Sequence, residues 1–120
     1  MLSVNIKNVE EFLISELKLT KEESKTFLFI VKNGRKDVRK IAESLESSEN
    51  EASSVADSLV AKGMIINISQ LEYESLHPRF AISNRYRRRC DEDNIPFRKN
   101  PLIDNIGIIL EGPFEHARTK

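Results

Sequence analysis

Small polar side chains, with an amide and a carboxylate among them, crowd into residues 48–54. Hydroxyl groups and helix N-termini can donate to phosphate oxygens, asparagine can bond adenine in a bidentate way, and glutamate can accept from the cytosine amino group. Ser47 or Ser48 is also needed as a helix cap. The candidate residues for contact with base edges are Ser48, Asn50, Glu51, Ser53 and Ser54.

Positive charges collect in two places where they could hold phosphate. The first group opens a short helix, where an ordinary solvated helix start is an equal alternative. The second and denser group has three arginines on one side of a helix, and pairing with the acids at 91–93, within the chain or on a partner chain, is slightly favoured for it. The candidates for phosphate contact are Arg35, Lys36, Arg39 and Lys40 in the first group, and Arg85, Arg88 and Arg89 in the second.

Residues suited to catalysis or metal binding are scattered along the sequence. His77, Cys90 and His116 lie far apart, without the close spacing of metal ligands, and there is no glycine-rich phosphate loop or nucleophile motif. A lone cysteine is far more often structural or incidental than redox-active. We therefore predict no catalytic residues, no metal site and no cofactor, and we expect that the protein is not an enzyme.

Composition limits the class of protein. Basic and acidic residues number 19 each, so the chain lacks the positive charge of a dedicated non-specific nucleic-acid binder. One cysteine cannot form an internal disulfide, which suits a reducing compartment. No signal-peptide pattern or run of about 20 apolar residues occurs. We expect a cytoplasmic protein that does not enter the membrane.

Caps and apolar spacing predict four helices before residue 63. The first, near 8–18, has Asn8 as its cap, and the second, near 21–32, opens with the capping box of Thr20 and Glu23 and stops at Gly34. Helices near 38–45 and 48–62 follow, the third capped by Asp37. The last two are joined by a tight turn, which is typical of a helix-turn-helix.

A change of periodicity follows directly. Residues 64–76 are rich in β-branched and alternating residues and predict a two-stranded hairpin. A proline-started helix is predicted near 78–90, and another near 101–111 that is closed by Gly112 and Pro113. The predicted fold class is mainly α with a small β-hairpin: a winged helix-turn-helix at 1–90, a connector at 91–99, and a C-terminal helix and tail at 100–120.

The last helix carries an apolar stripe that is too extensive to face water in a small domain. It either packs on the winged helix or pairs with the same helix of a second subunit. Because the acidic connector separates it from the core, we expect the second arrangement and a homodimer. The candidate dimerisation residues are Leu102, Ile103, Ile106, Ile109 and Leu110.

About 70 residues, from Leu17 to Tyr86, resemble the winged-helix domain of archaeal TrmB-like transcription regulators. The resemblance lies in Leu17-x-Leu19-Thr20, in Ile41-Ala42 with Leu45, and in Leu59 with the run Lys62-Gly63-Met64-Ile65; Tyr73 and Pro78 also fit. It implies a dimeric protein that binds double-stranded DNA. Since nothing outside it is long enough for the sugar-binding domain that several members carry, we expect a stand-alone regulator.

The expected DNA-binding surface has less positive charge than is usual in that family. Residues 43–57 contain five acids and no Lys or Arg, and the hairpin from 65 to 76 also has no Lys or Arg, although affinity for DNA rests largely on cations that meet phosphates. The sequence therefore supports two functions. One is a DNA-binding transcription regulator that reads the major groove with the helix near 48–62. The alternative is a winged-helix module that binds a protein partner in a transcription or repair assembly.

Overall fold

Six helices and three short strands make up the fold, as seen in a computed structural model that describes residues 4–119. The predicted class, mainly α with a small antiparallel sheet in winged-helix order, is confirmed. Among these residues, no helix combines the length and apolar character needed to cross a membrane. The helices are α1 (Val9–Leu17), α2 (Lys21–Asn33), α3 (Val38–Leu45), α4 (Glu49–Ala61), α5 (Pro78–Glu92) and α6 (Pro101–Arg118); the strands are β1 (Lys36–Asp37), β2 (Ile65–Ser69) and β3 (Glu72–Ser75).

Side-chain caps begin α2, α3 and α4 where the sequence predicts them. In the capping box of α2, the Thr20 hydroxyl accepts from the Glu23 amide at 3.0 Å, and the Glu23 carboxylate accepts from the Thr20 amide at 2.8 Å. Asp37 accepts from the Lys40 amide at 2.9 Å and starts α3, and Ser48 accepts from the Glu51 amide at 3.1 Å and starts α4. These bonds satisfy amides that lack partners within the helix, so they fix where each helix starts.

The wing, which is the β2–β3 hairpin, is joined by a strand that the sequence did not predict. β1 pairs antiparallel with β3, so the strand order is β1-β3-β2. The Val38 amide also donates to the Leu71 carbonyl at 2.9 Å. A two-residue strand is too short to show an alternating pattern, and it exists here because β3 offers it an edge. The wing is thereby hydrogen-bonded to the start of α3.

One core runs through the whole described chain, with α2 in contact with α1, α3, α4, α6 and β3. Phe27 and Ile30 of α2, Ile41 of α3 and Leu59 of α4 are all fully buried. The helix-turn-helix therefore does not stand alone but packs its two helices on α2. Burial of large apolar side chains is the main stabilising contribution, worth roughly 1.5–3 kcal/mol for each.

The end predicted for α6 at Gly112 and Pro113 is wrong, because the helix continues to Arg118. Pro113 removes one helical hydrogen bond, but tertiary contacts hold the turn that follows. The Arg118 guanidinium donates to the carbonyls of Phe114 at 2.8 Å and Val31 at 3.3 Å, and lies 3.6 Å over the Phe114 ring. It also pairs with Glu74 of β3. These partners are distant in sequence, so local helix signals could not reveal them.

The apolar stripe of α6 lies mostly inside the core of its own chain. Ile103, Ile106 and Leu110 are buried, and α6 packs against α5 and α2, so the expectation that these three form a seam with a second subunit needs correction. The connector contacts α5 through Phe97, whose ring centroid lies 5.8 Å from that of Tyr86. Leu102 and Ile109 are half-buried, and α5 runs two residues further than predicted, to Glu92.

Burial in the chain's own core predicts a stability effect for one isoleucine of α6 and not for its neighbour. Ile106→Ala should lower the free energy of unfolding by about 2–5 kcal/mol, because it leaves a cavity at a fully buried site. Ile108→Ala on the same helix should cost under about 1 kcal/mol, since Ile108 is 50% exposed. Urea denaturation of both variants checks this. The opposite ranking would mean that α6 does not pack as described.

Candidate nucleic-acid interface

The exposed face of α4 carries three of the five predicted base-contact residues. Asn50, Glu51 and Ser54 are exposed, and the Asn50 and Ser54 side chains form no hydrogen bond to any described residue. Ser48 is exposed, but its hydroxyl caps α4. Ser53 is half-buried and hydrogen-bonds Tyr73 of the wing. The first turns of α4 therefore present a small polar surface whose groups can pair with a ligand.

Tyr73 fixes the wing relative to α4. It is buried, and its hydroxyl donates to the Asp57 carboxylate at 2.7 Å. Burial raises the pKa of the Tyr73 phenol, and the hydrogen bond to Asp57 raises it further against the smaller opposing effect of Ser53. The phenol therefore remains a hydrogen-bond donor throughout the physiological range. Asp57, one of the five acids between residues 43 and 57, thus has a structural partner.

Glu23 fixes the other end of α4. Its Oε2 accepts from the Lys62 ammonium at 2.5 Å and from the Ser58 hydroxyl, while its Oε1 accepts from the Thr20 amide. Burial alone would raise the pKa of this carboxyl, but the hydrogen bonds from Lys62, Ser58 and Thr20 outweigh burial and lower it. The carboxylate is thus charged at neutral pH. It joins the start of α2 to the last turn of α4.

Two of the four cations at residues 35–40 are free of partners within the described chain. Arg35 and Arg39 are exposed and make no ion pair or side-chain hydrogen bond there. Lys40 is exposed and lies 3.6 Å from Glu43, a pair that contributes little on a surface. The Lys36 ammonium donates to the Asn33 carbonyl at 3.1 Å. Arg35, Arg39 and Lys40 are therefore available to an anionic ligand.

A cleft of about 390 Å³ lies where the start of α3, the start of α4 and the turn of the wing meet. Arg39 lies on its wall, and among the described residues that line it, it is the one cation beside the acids Asp37, Glu49 and Glu72. Leu71, at the tip of the wing, is 60% exposed. The three parts of a winged helix that usually contact DNA thus surround one cleft, whose charge is mainly negative.

The arginines of α5 have structural roles, and intrachain pairing is the arrangement seen for two of them. Arg85 is buried, where its Nε donates to the Leu17 carbonyl at 2.8 Å and its Nη1 pairs with Glu92 at 3.2 Å. Arg88 donates to the Ala61 carbonyl at the end of α4. Arg89 lies 3.1 Å from Asp93. These arginines hold α5 against α1 and α4, and the structure does not gather them into an exposed cluster.

The structure brings together one group that sequence spacing did not predict. His77, Glu111 and Glu115 each place a side-chain nitrogen or oxygen within 4.8 Å of the others, although 34 to 38 residues separate the histidine from the acids. Only the i, i+4 spacing of the two glutamates on α6 was visible in the sequence. Cys90 is buried in the core, as expected of a structural thiol.

The helix pair α3 and α4 packs on α2, and the wing that follows is hydrogen-bonded to the start of α3 and to α4. This arrangement defines a winged helix-turn-helix protein. The sequence model of the family described as "Sugar-specific transcriptional regulator TrmB" matches residues 13–79, and the chain belongs to that family. The match covers α2, both helices of the motif and the whole wing. It confirms the resemblance to TrmB-like regulators and shows that the chain belongs to a family of transcription regulators. Comparison with curated proteins and with solved structures finds no match.

The ionised Glu23 predicts a specific dependence of stability on pH. Because its pKa is lowered in the folded chain, it contributes stability above the ordinary glutamate pKa, and that contribution is lost as the pH falls through the folded value. Glu23→Gln should lower the free energy of unfolding at pH 7 by about 1–3 kcal/mol and flatten its decline below the ordinary glutamate range. Glu22→Gln, an exposed neighbour, is the control. Equal acid profiles for wild type and Glu23→Gln in urea denaturation would contradict this role.

Proposed function

We propose that the chain regulates transcription by binding double-stranded DNA with α4 in the major groove. The observation that supports this most is the fixed position of α4, held by Glu23 at one end and Tyr73 along its length while Asn50 and Ser54 stay exposed and unpaired. A polar helix face that is rigidly held suits the reading of base edges. The residues facing bases are Asn50, Glu51 and Ser54.

Arg35, Arg39 and Lys40 supply the phosphate contacts in this proposal. They lie before and within the first turn of α3, the helix that crosses the DNA backbone in a helix-turn-helix. With two unpaired cations, a third in a weak surface pair and an acidic cleft beside them, binding is weaker and less salt-dependent than in strongly basic regulators. Discrimination among sequences then rests largely on α4 and on the pairing of two half-sites.

A homodimer supplies the second half-site. The core position of Ile103, Ile106 and Leu110 leaves a different surface for association, namely the groove between α5 and α6 where Phe97 and Ile108 are each about half exposed. Half-buried Leu102 and Ile109 lie on the same helix. Sedimentation of Ile108→Ala beside the wild type tests whether this surface holds the dimer. As a regulator of transcription, the chain is proposed to act in the cytoplasm.

A second candidate function is recognition of a protein partner through the same region. It is favoured by the three acids around Arg39 in the cleft and by the exposed apolar side chains of the wing, where a DNA-binding wing commonly carries a cation. Negative charge beside apolar surface suits a basic amphipathic segment better than a phosphate backbone. The DNA experiments below distinguish the two functions, because this candidate predicts no salt-dependent binding to DNA.

Removal of two cations should weaken binding to every DNA sequence alike. Arg39→Ala combined with Lys40→Ala should lower affinity for specific and scrambled duplexes together, and flatten the salt dependence by roughly 0.9 in slope for each lost contact. Fluorescence anisotropy at two salt concentrations, with a duplex from upstream of the chain's own coding sequence, measures this. The control is Lys21→Ala with Lys25→Ala, which removes equal charge from exposed, unpaired positions on α2. Identical effects of the two double variants would indicate only a change in net charge.

Loss of the unpaired Asn50 side-chain amide on α4 should reduce the preference for one DNA sequence over another. Asn50→Ala should reduce the difference between the preferred and the scrambled duplex by about 1–3 kcal/mol, because it removes a bidentate donor and acceptor pair. General affinity should change little, since asparagine carries no charge. Ser54→Ala is a milder companion on the same face. An unchanged preference in Asn50→Ala would place this side chain outside the groove.

A further inference from the structure

Three ligand-type side chains from two helices converge beside the base of the wing. His77 stands at the N-cap of α5, and Glu111 and Glu115 lie one turn apart on α6. The Nε2 of His77 is 3.3 Å from Oε2 of Glu111, and an atom of each side chain lies within 4.8 Å of the others. We propose that His77, Glu111 and Glu115 bind a divalent transition-metal ion of the Zn²⁺ type.

The imidazole is held in place by its surroundings. Its ring packs edge-on against Phe114, with centroids 5.3 Å apart, and against Phe80 at 6.3 Å. Its Nδ1 accepts from the Arg79 amide at 3.2 Å, which turns Nε2 toward the carboxylates. The packing restrains the ring, whereas the bond at Nδ1 belongs to the tautomer that carries its proton on Nε2; a histidine ligand instead donates from its other nitrogen. Half-burial of His77 and Glu111 also limits competition from bulk water.

The two negative charges of the cluster are only partly compensated by positive charge from the described residues. Arg79 binds Glu111, with Nε 3.1 Å from Oε2, while the Glu115 carboxylate forms no ion pair or hydrogen bond to any described residue. Two carboxylates this close repel each other, and one guanidinium on one of them leaves a net negative charge. The Arg79 side chain is 58% exposed and can swing away. A doubly charged ion would compensate both glutamates at once.

The donor set indicates the kind of metal. One imidazole nitrogen and two carboxylate oxygens suit Zn²⁺, and also Co²⁺ or Mn²⁺, with remaining positions filled by water; Ca²⁺ and Mg²⁺ prefer oxygen ligands alone. Coordination through Nε2 requires the ring proton to reside on Nδ1, so it breaks the cap bond to the Arg79 amide. Metal binding therefore exchanges a cap at the start of α5 for a direct link from α5 to the last turns of α6.

The link lies where it can influence the wing. Arg118, one turn beyond Glu115, pairs with Glu74 of β3 and packs on Phe114, which also contacts His77. An ion on Glu111 and Glu115 would restrain the part of α6 that follows Pro113.

Isothermal titration of the untagged chain with Zn²⁺ tests the site, and Co²⁺ serves as a spectroscopic probe. One ion per chain is expected. Glu115→Gln and His77→Gln should each weaken binding at least tenfold, since even outer partners of ligands are worth about 10–100-fold. Glu115→Gln is the decisive variant because it should fold like the wild type, since the Glu115 side chain has no structural partner among the described residues. Circular dichroism should show the wild-type fold.

Two matched control variants remove an imidazole or a carboxylate that lies outside the cluster. His116→Gln takes away the neighbouring exposed histidine, and Asp104→Asn an exposed carboxylate near the start of α6. Both should bind Zn²⁺ as the wild type does. The proposal is overturned if the wild type does not bind Zn²⁺ at micromolar concentrations. It is equally overturned if Glu115→Gln binds like the wild type, or if His116→Gln loses affinity as much as His77→Gln.

Discussion

The arrangement of the domain depends on one buried carboxylate. Glu23 is 3% exposed, yet it stays ionised because Lys62, Ser58 and the Thr20 amide all donate to it. A buried charge is costly unless every lone pair is satisfied, and removal of one partner leaves that cost unopposed. Since the donors come from α2 and from the end of α4, the bonds are met together only when these helices lie in one relative position. Apolar packing stabilises the pair of helices, and Glu23 specifies their register.

The same use of charge accounts for several of the 19 basic residues of the chain. Arg85, Arg88 and Arg118 each donate to a backbone carbonyl, and Lys62 is bound to Glu23. Guanidinium groups suit this task because their fixed fork of donors can satisfy carbonyls and a carboxylate together. Each of these cations thus links its helix to a neighbouring element. Among the described residues, Arg35 and Arg39 at the start of α3 stay free, as do Lys21, Lys25 and Lys32 of α2 and Arg98 and Lys99 of the connector.

Local signals predicted much of the fold and less of the site. Caps at Thr20, Asp37 and Ser48 are contacts between residues three apart, so the sequence displays them directly, and helical periodicity did the same for the core face of α4. β1 exists only because β3 offers an edge. The contacts of Arg118 stabilise the part of α6 that follows Pro113. The apolar stripe on α6 could not itself show whether its own chain or a second subunit buries it. Because the cap fixes where α4 begins, helical spacing then indicated which of its residues are exposed. The buried position of Arg85 could not be predicted in this way, since its partner, the Leu17 carbonyl, lies 68 residues away.

β3 is the element through which distant parts of the chain can affect α4. On one side Tyr73 bonds Asp57 of α4, and on the other Glu74 pairs with Arg118 of α6. These two residues are adjacent in a strand of four residues that is paired with both β1 and β2. A displacement of the end of α6 therefore has a short and physically continuous route to the helix proposed to read DNA. Coupling needs such an element to have two arrangements with different affinities, so contact alone does not provide it. Arg118 joins the turn of α6 after Pro113 to Val31 of α2 and to Glu74 of β3, so a change at this end of the helix acts directly on β3.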